Sequence, residues 1–325
     1  MLGKKLDSPF FRSVRYRLFE MSEITEFDRL MGVSYTDIVE HKMSNFSIMR
    51  KDLKTLRDYT AINNERKFCG NKILYNYMTN QLCRVKTKGR SLYEIMTDPI
   101  QKKKLVEKAI KLNRSGSDAN RLFEAQRFNG AVVFFKPATA KYIYKHFNAE
   151  SVLDPCAGWG GRLLAAYSLD IGYVGFDTNI DLRIPYKMMI NFLRSENPHD
   201  DVHDSIGKQS INFHSCMDAD FSEIDYDFVL TSPPYINLEQ YPHMTPFENE
   251  QKYYNDFLIP LINRCLEHIN PVNGGWVCFN INQKMYKDLL EYGMRAADKE
   301  ENFLQQKKMG KDMADKVYCW KKPVA

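Results

Sequence analysis

The sequence predicts an α/β fold built on a mainly parallel sheet, preceded by a helical region. Three observations carry this. From about residue 130, short apolar runs of strand length alternate with amphipathic helical stretches, the texture of βαβ units with helices on both faces of a sheet. The first 120 residues contain little strand signal but several stretches with helical spacing of apolar residues. Charge divides at the same place: residues 1–125 hold 25 Lys and Arg against 15 Asp and Glu, and the remainder holds 21 against 26.

In chain order, helical spacing covers Ile38 to Leu56, Lys72 to Leu82 and Leu92 to Leu112. Ser91 followed by Glu94 is a capping-box pattern that starts a helix near Leu92. Asp98-Pro99 breaks it, because a residue before proline avoids helical geometry. A second helix runs from Pro99 through Lys102, Lys103 and Lys104 to Arg114. The polar stretch RSGSDAN (114–120) reads as a hinge or loop. The strand-length runs are 151–155, 173–177, 211–215, 226–232, 275–281 and 316–322. Helical stretches lie around 161–169, 180–194, 250–269 and 284–297. Two domains follow: a basic helical region over 1–125 and an α/β domain over 126–325.

Composition excludes several classes. No apolar run approaches the roughly 18 residues that span a bilayer. The N-terminus has two lysines but no apolar stretch behind them, so no secretory leader is expected and the chain should remain intracellular. The seven cysteines form no CxxC pair and none sits near a His at zinc-ligand spacing; they read as buried thiols, and no metal is expected. A basic half joined to an acidic half suits a polyanionic partner for the first half, or a solvated lysine-rich surface. The oligomeric state is not legible.

Ligands bind such sheets at the carboxyl ends of the strands, and the chemistry-bearing segments all fall there. VLDPCAGWGGRLLAA (152–166) is a strand, a glycine-rich turn and a helix start. Asp154 ends the strand. Gly158, Gly160 and Gly161 let the backbone turn tightly and approach a ligand without an intervening Cβ. An acid before the turn would repel a pyrophosphate but suits an amino group. The next strand ends in Asp177, followed by Asn179, about 20 residues beyond the glycines, the separation at which a carboxylate meets ribose hydroxyls. Asp177 also reads as a helix N-cap. The segment 152–166 resembles the first motif of the class I S-adenosylmethionine-dependent methyltransferases, in the DPxxGxGG form of the enzymes that methylate amino groups in DNA. That resemblance implies a Rossmann-like domain with a seven-stranded sheet over 126–325. It implies S-adenosyl-L-methionine as cofactor, held by Asp154, Cys156, Ala157, Gly158, Gly160, Asp177 and Asn179. It also implies an acid after the third strand facing the adenine amino group: Asp218, with Asp220 competing. Upstream, VVFFKPATAKYIYKHF (132–147) resembles the family's FxP segment, with Phe135, Lys136, Pro137 and Thr139 closing over the methionine end; it also reads as an ordinary proline-started helix.

The strand 226–232 ends in Thr231-Ser232-Pro233-Pro234-Tyr235, similar to the (D/N/S)PP(Y/F) motif of enzymes that methylate exocyclic amines. An aryl amine is a poor nucleophile because its lone pair is delocalised into the ring. The resemblance implies that Ser232 and the Pro233 carbonyl accept its N–H bonds and hold it pyramidal, while Pro234 stiffens the loop. Tyr235 is implied to stack on the base. Transfer would be a direct in-line displacement resting on orientation, with the target nucleotide flipped out or already single-stranded. Tyr241 and Phe247 line the path or belong to the core. Cys156 lies on the cofactor strand and is not expected to act as a nucleophile.

The resemblance covers residues 130–322. SPPY-type loops favour cytosine N4 in DNA; adenine N6, or an amine of guanine or adenine in RNA, remain alternatives. Such enzymes carry target recognition in a long insert or a C-terminal domain, and this chain shows neither. The basic region is therefore expected to grip DNA, with Lys86, Lys88, Arg90 and Lys102 to Lys104 on phosphates, contacts that position but do not specify.

Overall fold

The computed structural model describes residues 24–60, 68–86, 89–127, 133–196, 208–236, 246–303 and 315–322. Helices α1 (Glu26–Gly32), α2 (Tyr35–Lys42), α3 (Phe46–Arg57), α4 (Asn71–Leu82), α5 (Leu92–Thr97), α6 (Pro99–Leu112), α7 (Asp118–Arg127) and α8 (Pro137–His146) lead into the sheet region. There follow β1 (Ser151–Asp154), α9 (Gly161–Leu169), β2 (Gly172–Phe176), α10 (Arg183–Ser195), β3 (Gln209–Asn212) and β4 (Phe228–Thr231). The last elements are α11 (Ile259–His268), β5 (Trp276–Asn282), α12 (Gln283–Glu291), β6 (Lys299–Glu301) and β7 (Asp315–Lys321). A helical turn at Glu250–Tyr253 and a π-helical segment at Tyr254–Leu258 run directly into α11.

Two compact units result, residues 1–41 with 87–131 and residues 42–86 with 132–325. In the first, the sequence signals act as read. Ser91 Oγ accepts from Glu94 N at 3.1 Å while Glu94 Oε2 accepts from Ser91 N at 2.8 Å, so the capping box starts α5. Asp98 accepts from Ile100 N and Gln101 N and, with Pro99 at the first turn, starts α6. Leu105, Val106 and Ala109 give α6 its buried face. The polar stretch is shorter than 114–120, because α7 already begins at Asp118. The stretch Ile38 to Leu56 is two helices: residues 43–45 are non-helical, and Asn45 Oδ1 accepts from Ile48 N at 2.9 Å to start α3 afresh.

The units do not follow a division at residue 125. Helices α3 and α4 pack within the α/β unit, where Leu53, Leu56, Ile73, Leu74 and Met78 join one core with Leu163, Leu164, Tyr186 and Met189. Buried Lys141 ties α8 to the end of α3, donating to Leu56 O at 2.7 Å and Arg57 O at 2.6 Å. Net charge follows exposed faces, and the apolar stripe of a basic helix carries no label for its partner.

The sheet has the order β3-β2-β1-β4-β5-β7-β6, with β7 antiparallel to both neighbours and the other pairings parallel. The central strands alternate between two apolar layers, as period-two side chains must. Val152, Phe228, Leu230 and Cys278 face one core; Leu153, Val229, Val277, Phe279 and Ile281 face the other, with α11 and α12. Burial on both faces explains their continuous apolar character. β6 (KEE) escaped sequence detection because its side chains are exposed or half-buried and none is apolar. Asp227 pins the lower edge, accepting from Ser151 N at 2.9 Å and Asn273 Nδ2 at 2.9 Å. No described helix is long and apolar enough to cross a membrane.

Candidate active site

A cleft of about 550 Å³ opens at the carboxyl ends of β1, β2 and β4, a size suited to a small organic ligand. It brings together two groups of residues separated by some 75 positions. Phe135, Lys136, Cys156, Ala157, Gly158, Asp177 and Asn179 line one side, and Ser232, Pro233, Pro234 and Tyr235 the other.

On the first side, backbone geometry sets the shape. A Cβ on Gly161 would lie 1.9 Å from Phe135 O, so only glycine lets the segment before α8 close over the turn. Gly158 N donates to Asp177 Oδ2 at 2.8 Å, and Asn179 N to Asp177 Oδ1 at 2.8 Å. Burial pushes the Asp177 carboxyl up to about 6, against these two donors, which favour its charged form. Tyr186 OH braces the turn by donating to Gly158 O at 3.0 Å.

Beneath this wall lies a buried charge network. Asp154 is fully buried and accepts from Arg162 Nε at 2.6 Å, Tyr173 OH at 2.6 Å and Thr231 Oγ1 at 2.8 Å. Arg162 also donates to Cys156 O and lies 5.1 Å over the Phe135 ring. Burial disfavours its charge, but the Asp154 carboxylate more than offsets that and holds its pKa above the ordinary arginine value. Asp154 is thus a positioning residue behind the wall; its oxygens are taken, and the part expected of it toward an amino group does not follow from this geometry. Arg162, which the sequence reading passed over, does line the cleft.

Several other expected residues lie off the wall. Gly160, with φ +81°, is the helix-capping turn residue, and a Cβ there would lie 2.8 Å from Met189 Cε. Pro137 starts α8 and Thr139 is buried within it. Asp218 is exposed in a short 3-10 turn and Asp220 caps the next one, through Ser222. Their neighbours Cys216 and Met217 line the cleft instead. Cys156 is half-buried; a hydrogen bond with Cys216 and then burial hold its thiol well above the usual range, so it is not poised as a nucleophile. Tyr241 and Lys88 lie outside the described residues. Phe247 lines the cleft, edge-on to Tyr253 at 5.1 Å.

The second wall is stiff by construction. Tyr253, buried in the turn ahead of the π segment, donates to Pro234 O at 2.9 Å. Tyr235 OH donates to Asp315 Oδ1, at the start of β7, at 2.6 Å. Ser232 Oγ accepts from Asn280 Nδ2 at 3.2 Å and donates to Asn280 O at 3.4 Å. Thr231 joins the two walls: besides donating to Asp154, its hydroxyl accepts from Cys156 N at 3.0 Å. Asn280 and Asp315 line the cleft and were missed in the sequence; the signal for Asn280 was a polar residue inside the apolar run GWVCFNI. Among the described residues, no three His, Cys, Asp or Glu side chains converge as a metal site.

No protein-family model matches the chain, and no curated protein matches it. Among solved structures it is similar to an RNA methyltransferase from Salinibacter ruber in complex with S-adenosyl-L-homocysteine, at 16% identity over 59% of this chain and 94% of that one, with a TM-score of 0.36. It is similar to TrmN from Thermus thermophilus at 17% identity over 58% of this chain and 49% of that one, with a TM-score of 0.35. A type I restriction-modification methyltransferase subunit from Streptococcus thermophilus aligns at 15% identity over 97% of this chain and 70% of that one, with a TM-score of 0.36. Likenesses of this degree decide neither substrate nor chemistry. The mainly parallel seven-stranded sheet, with its antiparallel β7 and helices on both faces, is the Rossmann-like α/β fold expected of the class I methyltransferases.

Proposed function

We propose that the chain is an S-adenosyl-L-methionine-dependent methyltransferase acting on an exocyclic amino group of a nucleic-acid base, with cytosine N4 of DNA as the first choice. The observation that carries this reading is that one cleft holds both the Gly158–Asp177 cradle and the Ser232-Pro233-Pro234-Tyr235 turn.

The residues fit the cofactor. Asp177 offers a carboxylate for two ribose hydroxyls, the glycine turn brings backbone close, and Phe176, Leu182 and Met217 supply apolar contact for a purine. Phe135 and Lys136 cover the opposite end. When bound, the cofactor supplies an electrophilic methyl group on a sulfonium sulfur. The protein's part is orientation. Ser232 Oγ and Pro233 O accept from the amine and keep its lone pair off the ring, and Tyr235, tethered to Asp315, stacks on the base. Positioning of this kind lowers a barrier without a covalent intermediate. Such a cleft accepts a base only out of the helix. Exposed Lys103 and Lys104 on α6 are assigned to phosphate contacts, whereas half-buried Lys102 interacts with Asp37.

The test is incubation with tritiated cofactor and duplex DNA, single-stranded DNA or RNA, followed by nucleoside identification by mass spectrometry. N4-methyl-2′-deoxycytidine from the DNA is the expected product. N6-methyladenine would change the base, labelled RNA with unlabelled DNA would change the polymer, and no label in any of them would overturn the reading.

A further inference from the structure

Among the described residues, one buried polar atom on the cleft wall has no hydrogen-bond partner: Asn280 Oδ1. Asn280 is 6% exposed. It lies in β5, between Phe279 and Ile281, which face the apolar layer under α11 and α12, so strand alternation turns its own side chain to the opposite face. A buried acceptor left without a partner in a central strand is destabilising. Conflicts of this kind concentrate where function requires them.

The wiring around it fixes what the site offers. The Ser232 proton goes to Asn280 O and one Asn280 Nδ2 proton goes to Ser232 Oγ. What remains unpaired at this wall, among the described residues, is a lone pair on Ser232, the buried Asn280 amide oxygen and the Pro233 carbonyl. All three are acceptors. A primary amine brings two donors; a carbonyl oxygen at the same place brings none and meets only lone pairs.

We propose that Asn280 binds the substrate, its amide oxygen sharing with Ser232 Oγ one N–H of the target amine while Pro233 O accepts the other, so that the pair Ser232–Asn280 selects an amino over a keto group. This rests on the amine-methyltransferase reading and names a residue that reading did not use. With the nucleophile held by both N–H bonds, its lone pair is left free on the face toward the donor side of the cleft.

The experiment compares wild type, Asn280→Ala and Asn280→Asp on oligonucleotides carrying the methylated base, with competitors in which that base's amino group is replaced by a keto oxygen. Losing one hydrogen bond to a buried group, at a tenfold change per 1.4 kcal/mol, predicts a roughly 10- to 100-fold fall in kcat/KM for Asn280→Ala. Its preference for the amino oligonucleotide over the keto competitor should shrink by a similar factor. Asn280→Asp, which keeps an acceptor, should recover most of both. Affinity for S-adenosyl-L-homocysteine and the thermal midpoint should stay near wild type in both variants. Unchanged kcat/KM and discrimination in Asn280→Ala overturn the inference while leaving the methyltransferase reading intact. A fall in the thermal midpoint matching the activity loss, with no rescue by Asp, also overturns it, as a structural role. Absence of methyl transfer by the wild type overturns both.

Discussion

The two walls of the cleft treat their polar groups in opposite ways. On the β1 side Asp154 receives three hydrogen bonds, Arg162 is paired and stacked, and Asp177 holds two backbone donors. On the β4 side the Asn280 oxygen and the Pro233 carbonyl have no partner among the described residues. A wall whose groups satisfy one another is a shape, ready before any ligand arrives. A wall with spare acceptors is a question posed to the ligand, answered only by a group with hydrogens to give. The difference teaches which wall should fail by unfolding when altered, and which should fail by losing rate.

The largest expected effect comes from breaking the satisfied wall. Asp154→Ala leaves Arg162 charged and alone in the interior, which should cost about 3–5 kcal/mol of stability, read by chemical denaturation. Adding Arg162→Met should restore much of that, since removing both partners of a buried pair is far milder than removing one. If Asp154→Ala unfolds like wild type, the wall is not held as described. Next is Ser232→Ala, for which kcat should fall about 10- to 100-fold with cofactor affinity unchanged by calorimetry; an equal loss of cofactor affinity would erase the distinction between the walls.

Asp177 lies between these extremes. Asp177→Ala should weaken cofactor binding about tenfold or more, since hydrogen bonds to a charged group are worth about 1.5–3 kcal/mol. Its carboxyl is raised from 3.8 to about 6, so the free protein gains stability from protonated Asp177 that is fully present below about pH 4 and lost as pH rises through 6. Ribose hydroxyls need the charged form. Cofactor affinity should therefore climb between pH 5 and 7, and Asp177→Asn should flatten that climb. The smallest effect is expected for Tyr235→Phe, which gives up the 2.6 Å bond to Asp315 but keeps the stacking ring; a loss as large as for Tyr235→Ala would make the tether, and not the ring, the working part.

Much of this arrangement was legible. The glycine turn, Asp177 and the Ser-Pro-Pro-Tyr turn stand out because each needs special residue types at fixed places along a strand end, and the structure gathers them in one cleft. Capping signals at Ser91 and Asp98 acted locally and were read locally. What escaped depends on partners distant in the chain. Asp154 looks in sequence like a ligand-facing acid; only folding brings Tyr173 and Thr231 onto it. Asn280 is one polar letter in an apolar strand until Ser232 is seen beside it. Helices α3 and α4 share the charge of their neighbours in sequence but bury their apolar stripes in the α/β core.

The hydroxyl of Thr231, bonded at once to Asp154 and Cys156, rivets the tip of one strand to the loop beyond another. The floor of the cleft is thereby fixed in width, leaving the rim, at residues 133–136 and at Pro246, Phe247, Asp256 and Phe257, as the part open to change. Anyone wishing to retarget this protein to a bulkier or differently shaped acceptor should leave the rivet alone, spare Phe135 over Arg162 and Tyr253 beneath Pro234, and vary the remaining rim positions.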